Sequence, residues 1–167
     1  VFRISRKSHV LATVHSRLPV AGNGLGAILC NEEFFTTEPG GFCAIAGNNI
    51  GTDVIGANAH EAIKATNVNG SVISRNYSGT DTHGSDEIGN SADGIVLVDS
   101  WNNEIGGGTA LGYVICKNNG FGIRIQGGFE NRIIANSIGV VLGELSTIGK
   151  SNLLAGVLLS GTHSNLI

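Results

Sequence analysis

GIVLVDSWNNEI (Gly94–Ile105), GIRIQGGFENRI (Gly122–Ile133) and GVLLSGTHSNLI (Gly156–Ile167) are three copies of one phrase. Each opens on glycine and places apolar residues at the second and fourth positions. Each ends on asparagine, a variable residue and isoleucine, the asparagines being Asn103, Asn131 and Asn165. The alternation has a period of two, as in a strand whose side chains point to opposite faces. In the middle copy Ile123 and Ile125 take one face, Arg124 and Gln126 the other. So short a strand cannot bury its apolar face alone, but copies stacked on one another can.

Working outward, looser copies run from Ala62 to Ile73 and from Gly26. An Ile-x-x-Asn phrase recurs at Ile45–Asn48, Ile73–Asn76, Ile115–Asn118 and Ile133–Asn136. Two copies lead into Gly-Thr-Asp, at Gly51–Asp53 and Gly79–Asp81, and IGNS from Ile88 pairs with IGKS from Ile148. Gly94 to Gly156 and Asn103 to Asn165 are each 62 residues apart. That interval reads as three coils of about 20 residues, which gives seven or eight coils over the chain. The resulting expectation is an all-β, single-stranded parallel solenoid with an aliphatic interior. Residues 1–21 form a degenerate first coil or cap, and 22–167 form the solenoid. Asparagine tolerates the left-handed turn conformation, and stacked amides can form a hydrogen-bonded ladder.

Composition agrees. The 167 residues include 26 glycines, 17 asparagines, 18 isoleucines and 13 valines, with only 2 prolines and 14 % charged residues. β-branched residues favour strands. A helical bundle needs more Ala, Leu, Glu and Lys, and a disordered chain is more charged. The net charge of −3 argues against non-specific nucleic-acid binding. No apolar run is long enough for a membrane helix. Cys30, Cys43 and Cys116 show no CxxC spacing, so buried free thiols are expected. The repeat stops at Ile167 where its other copy continues into Gly106 and Gly107. This suggests either a fragment or end-to-end homo-association.

The phrases Gly47–Asp53, Asp93–Val98 and Asn103–Gly107 resemble the right-handed parallel β-helix repeat proteins of the pectin-lyase-like superfamily. The likeness is greatest to the bacterial group with GN-x-IGTD, DGI-x-I and N-x-IGG phrases, and it covers roughly residues 22–167. Two positions depart from it: Ser78 stands for the apolar residue of IGT, and Ala62 for the strand-opening glycine. The resemblance implies extracellular, cell-surface or periplasmic placement, often with polysaccharide contact. It also implies that any chemistry lies on the outer face of the stacked strands. Lyases and epimerases of this fold need a group that neutralises a uronate carboxylate, plus a base. Hydrolases use paired carboxylates.

Asp81-Thr82-His83-Gly84-Ser85-Asp86-Glu87 gathers three acids and a histidine. Asp81, His83 and Asp86 are therefore the catalytic candidates, histidine beside carboxylates being suited to acid–base work. The NTD, DD, RIK and DPHE strings of the superfamily's hydrolases and epimerases are missing, which favours a plain turn loop. Asp53, Asp81, Asp86 and Asp93 could supply oxygens to Ca²⁺, but no EF-hand or GGxGxDxUx string occurs. Solvated turn acids are favoured, and no other metal or cofactor is expected. The outward strand position carries Ile28, Lys64, Val96, Arg124 and Leu158. Arg124, with Lys117 and Arg132, can engage an acidic glycan by charge-assisted hydrogen bonds. Trp101 and Phe129 share one turn position, where Trp101 can flank a glycan groove or pack the turn. Three readings stay open. The favoured one is a non-catalytic structural or polysaccharide-binding module. The others are a lyase, epimerase or hydrolase on an acidic glycan, and a self-assembling segment.

Overall fold

The computed structural model describes residues 2–6, 12–15, 28–32, 43–46, 49–50, 58–74, 76–80, 89–107, 114–140 and 151–167. Among these residues there are fifteen strands and no helix. The chain begins with β1 (Phe2–Arg6), β2 (Ala12–His15), β3 (Ile28–Glu32), β4 (Cys43–Ala46) and β5 (Asn49–Ile50). Next come β6 (Ile63–Thr66), β7 (Val72–Ser74), β8 (Tyr77–Ser78), β9 (Ile95–Val98) and β10 (Glu104–Gly106). It closes with β11 (Val114–Ile115), β12 (Ile123–Gln126), β13 (Arg132–Ile134), β14 (Ser137–Ile138) and β15 (Val157–Ser160). They form three sheets, ordered β1-β3-β6-β9-β12-β15, β2-β4-β7-β10-β13 and β5-β8-β11-β14. Every pairing is parallel. From β3 onward the chain visits the first, second and third sheets in turn and then starts the cycle again.

The three phrases stack as their alternation predicts. Ile95, Ile123 and Val157 are register partners, as are Leu97, Ile125 and Leu159. Ile63, Ile95, Leu97, Ile123 and Ile125 are fully buried. They share one cluster with Ile73, Ile105 and Ile133 of the second sheet and Ile115 of the third. The three sheets therefore face one aliphatic core. Each such side chain contributes roughly 1.5–3 kcal/mol by leaving water.

The repeat length differs from the sequence reading. First-sheet register partners lie 26 (Phe2 to Ile28), 35 (Ile28 to Ile63), 32 (Ile63 to Ile95), 28 (Ile95 to Ile123) and 34 (Ile123 to Val157) residues apart. The 62-residue interval is thus two cycles rather than three coils of about 20. Among the described residues the longest sheet holds six strands, where seven or eight coils were expected. One cycle needs three strands and three connections, and the connections differ in length. The outward column is also corrected by one residue: Leu29, and not Ile28, is the partner of Lys64. The Ile-x-x-Asn phrase merges two columns. Ile45, Ile73 and Ile133 belong to the second sheet, Ile115 to the third.

Polar residues follow the same stacking. After β6, β9, β12 and β15 the chain turns through a left-handed residue: Asn67 (φ 59°), Asp99 (45°), Gly127 (73°) and Gly161 (62°). This position accounts for the exchange of Asn, Asp and Gly between copies. The expected ladder forms: Asn103 Nδ2 donates to Asn131 Oδ1 at 2.9 Å, and the Asn131 amide N–H to Asn165 Oδ1 at 2.9 Å. A second ladder, unforeseen as a column, joins Asn58, Asn90, Asn118 and Asn152 by side-chain bonds of 2.7, 2.7 and 2.9 Å. Cys116 is fully buried, and Cys30 and Cys43 lie on β3 and β4.

Candidate functional site

Two outward-facing features distinguish the described surface. The first is a cluster of charges beside the first sheet. Glu61 and Asp93 immediately precede the strand-opening positions Ala62 and Gly94. Lys64 and Arg124 lie on β6 and β12 at the outward position, with Val96 between them. Arg124 Nη2 is 2.7 Å from Asp93 Oδ2 and 3.8 Å from Glu61 Oε1, and Lys64 Nζ is 3.9 Å from that same oxygen. Asp93 Oδ1 accepts the Phe121 amide N–H at 2.7 Å. The Asp93 side chain is 8 % exposed and that of Arg124 31 %. Two cations and two anions leave the cluster neutral.

The Arg124–Asp93 contact is a short charge-assisted bond that ties one strand cycle to the next. Asp93→Ala removes the anion, leaves the part-buried Phe121 amide without its acceptor and leaves the Arg124 guanidinium with only Glu61, at 3.8 Å. We expect a loss of about 2–4 kcal/mol in stability. Asp93→Asn, which can still accept from Phe121, should lose about half as much. Urea denaturation reads both. An Asp93→Ala protein within about 0.5 kcal/mol of the parent would mean the cluster is a solvated surface.

The second feature is a ring stack on the turn between the first and second sheets. Trp101, Phe129 and His163 are consecutive bridge partners, with Asn69 below Trp101. The Trp101 and Phe129 centroids are 6.0 Å apart at 13° between planes, and Phe129 and His163 are 5.5 Å apart at 4°. Phe129 is 37 % exposed. Trp101 is half-buried and His163 exposed. His163 holds the same position of its phrase as Trp101 and Phe129, but a search for apolar residues passes over it.

The sequence candidates are dispersed. Asp81, His83 and Asp86 lie outside the described residues, as does Asp53. Asp93, the remaining Ca²⁺ candidate, is engaged by Arg124 and by the Phe121 amide. Among the described residues no group of three or more His, Cys, Asp or Glu is placed to hold a metal ion. Arg124, Arg132 and Lys117 belong to the first sheet, the second sheet and the turn after β11. Arg132 Nη1 is 3.6 Å from Glu104 Oε2 across neighbouring strands. Three sheets around one core present their outward sides in different directions, so these cations do not make one patch. No helix of the described residues is long and apolar enough to cross a membrane. Set against protein-family models, curated proteins and solved structures, the chain matches none.

Proposed function

We propose that this chain is a non-catalytic structural module, a right-handed parallel β-helix carried by a secreted or cell-surface protein. Right-handedness is the rule for crossovers between parallel strands of one sheet, and the cyclic order of the three sheets fits a single winding solenoid. The observation that carries the structural reading is where the polar side chains go. Asn58, Asn90, Asn118 and Asn152, with Asn103, Asn131 and Asn165, direct their amides along the stack. The Glu61–Lys64–Asp93–Arg124 cluster spends its charge internally. Groups so engaged resist local opening; catalysis and ligand capture need groups left available.

An acidic glycan fits this arrangement less well than a scaffold role. Arg124 would have to leave two carboxylates to reach a uronate, and Arg132 and Lys117 sit on other sides. A screen of the 167-residue chain against neutral and uronate polysaccharides, scoring both binding and turnover, tests the proposal. The expected result is no turnover of any polymer and no binding that depends on Arg124. Release of reducing ends or unsaturated products, abolished by His83→Ala or Asp86→Ala, would overturn it in favour of an enzyme.

A further inference from the structure

We propose that Asn69-Gly70 is a spontaneous modification site, where the folded chain converts asparagine to isoaspartate and aspartate in water. This goes beyond the scaffold reading and does not rest on it. The sequence has three Asn-Gly pairs, Asn23-Gly24, Asn69-Gly70 and Asn119-Gly120. The first lies outside the described residues. A glycine after asparagine leaves the attacking amide nitrogen unshielded by a side chain. The Gly70 nitrogen bonds to Asn69 Cγ and closes a cyclic imide, while the Cγ–Nδ2 bond breaks. The Gly70 amide proton leaves with Nδ2 as ammonia. Water then opens the imide. Cleavage between Cγ and the Gly70 nitrogen gives aspartate. Cleavage between the Asn69 carbonyl carbon and that nitrogen gives isoaspartate, whose main chain runs through Cγ. Nothing is oxidised or reduced, and water is the co-reactant.

The structure separates the two described pairs. Asn69 is half-buried on the turn between β6 and β7. Its Oδ1 is buried without a hydrogen-bond partner, whereas Asn90, Asn103, Asn118 and Asn131 have theirs tied into the ladders. Turning the Asn69 carbonyl toward Gly70 therefore breaks no bond at that oxygen. The Gly70 N–H reaches the Trp101 carbonyl oxygen only at 3.3 Å, outside the usual N–H···O range. Asn119 is exposed, but its attacking nitrogen is locked. Gly120 is buried, and its N–H donates to the Ala92 carbonyl at 3.0 Å. A Cβ there would lie 2.2 Å from Asp93 Oδ1 and 3.0 Å from the Asp93 nitrogen. The Asn119 N–H is held as well, by the Asn90 carbonyl at 2.9 Å. That pair must open locally before it can react. Isoaspartate at position 69 lengthens the main chain just before Ser71, whose N–H donates to Asn103 Oδ1 at 2.9 Å. It also lies beside the single tryptophan, since the Trp101 N–H donates to the Val68 carbonyl at 3.1 Å.

The test ages the 167-residue chain at mildly alkaline pH, folded and in urea. Peptide mapping by mass spectrometry, with isoaspartyl methyltransferase labelling, follows each pair separately. In the folded chain Asn69 should convert at least about tenfold faster than Asn119, the factor set by freeing one well-made backbone bond. In urea the two rates should converge, because both are then open Asn-Gly pairs. Ageing should also shift the Trp101 emission of the folded parent. Asn69→Gln, which would have to close a larger ring, should keep its emission unchanged. The proposal is overturned if Asn69 stays an amide in the folded chain, or if Asn119 converts as fast there. It is equally overturned if Asn69 keeps its lead in urea, or if the parent and Asn69→Gln age alike.

Discussion

Asn118→Ala should destabilise the protein by about 3–5 kcal/mol, because it unmakes the middle of a buried ladder. Asn118 is 1 % exposed. Its Nδ2 donates to Asn152 Oδ1 at 2.9 Å, and its Oδ1 accepts from Asn90 Nδ2 at 2.7 Å. Ser78 Oγ lies 3.4 Å from that same oxygen. Alanine removes one partner from each buried neighbour and adds a void; Asn90 Nδ2 keeps only Ser78 Oγ at 3.3 Å, and Asn152 Oδ1 only the backbone N–H of residue 118 at 3.1 Å. A buried group that loses its better partner costs about 1–3 kcal/mol, and the void adds to that. The control is Asn165→Ala. Asn165 accepts the Asn131 amide N–H at 2.9 Å and bonds Thr162 Oγ1 at 2.8 Å, but it is only half-buried. Water can replace what it gives, so its loss should stay near 1 kcal/mol. Urea unfolding followed by circular dichroism measures the pair. Equal losses for the two variants would show that the ladders follow the fold rather than hold it.

The same ladder shows which parts of the architecture a reader of the chain can see. The phrase from Gly94 to Ile105 spans β9, its turn and β10, long enough for alternation and a fixed asparagine to register. The first and second sheets, and the ladder through Asn103, were therefore legible. Strands of the third sheet are two residues long, such as Val114–Ile115 and Ser137–Ile138. Two residues carry no period, so that sheet was invisible and the cycle looked about a third too short. The Asn58–Asn90–Asn118–Asn152 ladder steps by 32, 28 and 34 residues. No fixed interval reveals it, since connections vary while the stacking distance does not. Arg124 was visible as an outward residue. Its partners Asp93 and Glu61 precede the strand opening, outside the alternating pattern, and only the stacked register brings them to it.

Gly122→Ala should cost about 3 kcal/mol or more, at or beyond the upper end of ordinary overpacking. A Cβ there would lie 2.6 Å from the Gly156 carbonyl oxygen, 2.7 Å from Ile138 Cγ2 and 2.8 Å from Asn152 Nδ2. The first is backbone, the second packs against the core and the third is fixed in the ladder, so none yields cheaply. Gly156→Ala is the matched control: its Cβ meets only Ile138 Cγ2, at 3.4 Å, and should change stability by less than about 1 kcal/mol. The same column explains why the chain departs from its own pattern twice in one cycle. Gly94 opposes Ile115 Cγ2 as Gly122 opposes Ile138 Cγ2. The equivalent of Gly94 one cycle earlier is Ala62, and the register partner of Ile115 there is Ser78. Both Ala62 and Ser78 are fully buried. The methyl gained at one position occupies space that the smaller side chain leaves at the other. Ser78→Ile alone should then destabilise by about 2–3 kcal/mol. Adding Ala62→Gly should recover at least about 1 kcal/mol, a coupling typical of residues in contact. Strictly additive effects in this double-mutant cycle would mean that the two departures arose independently.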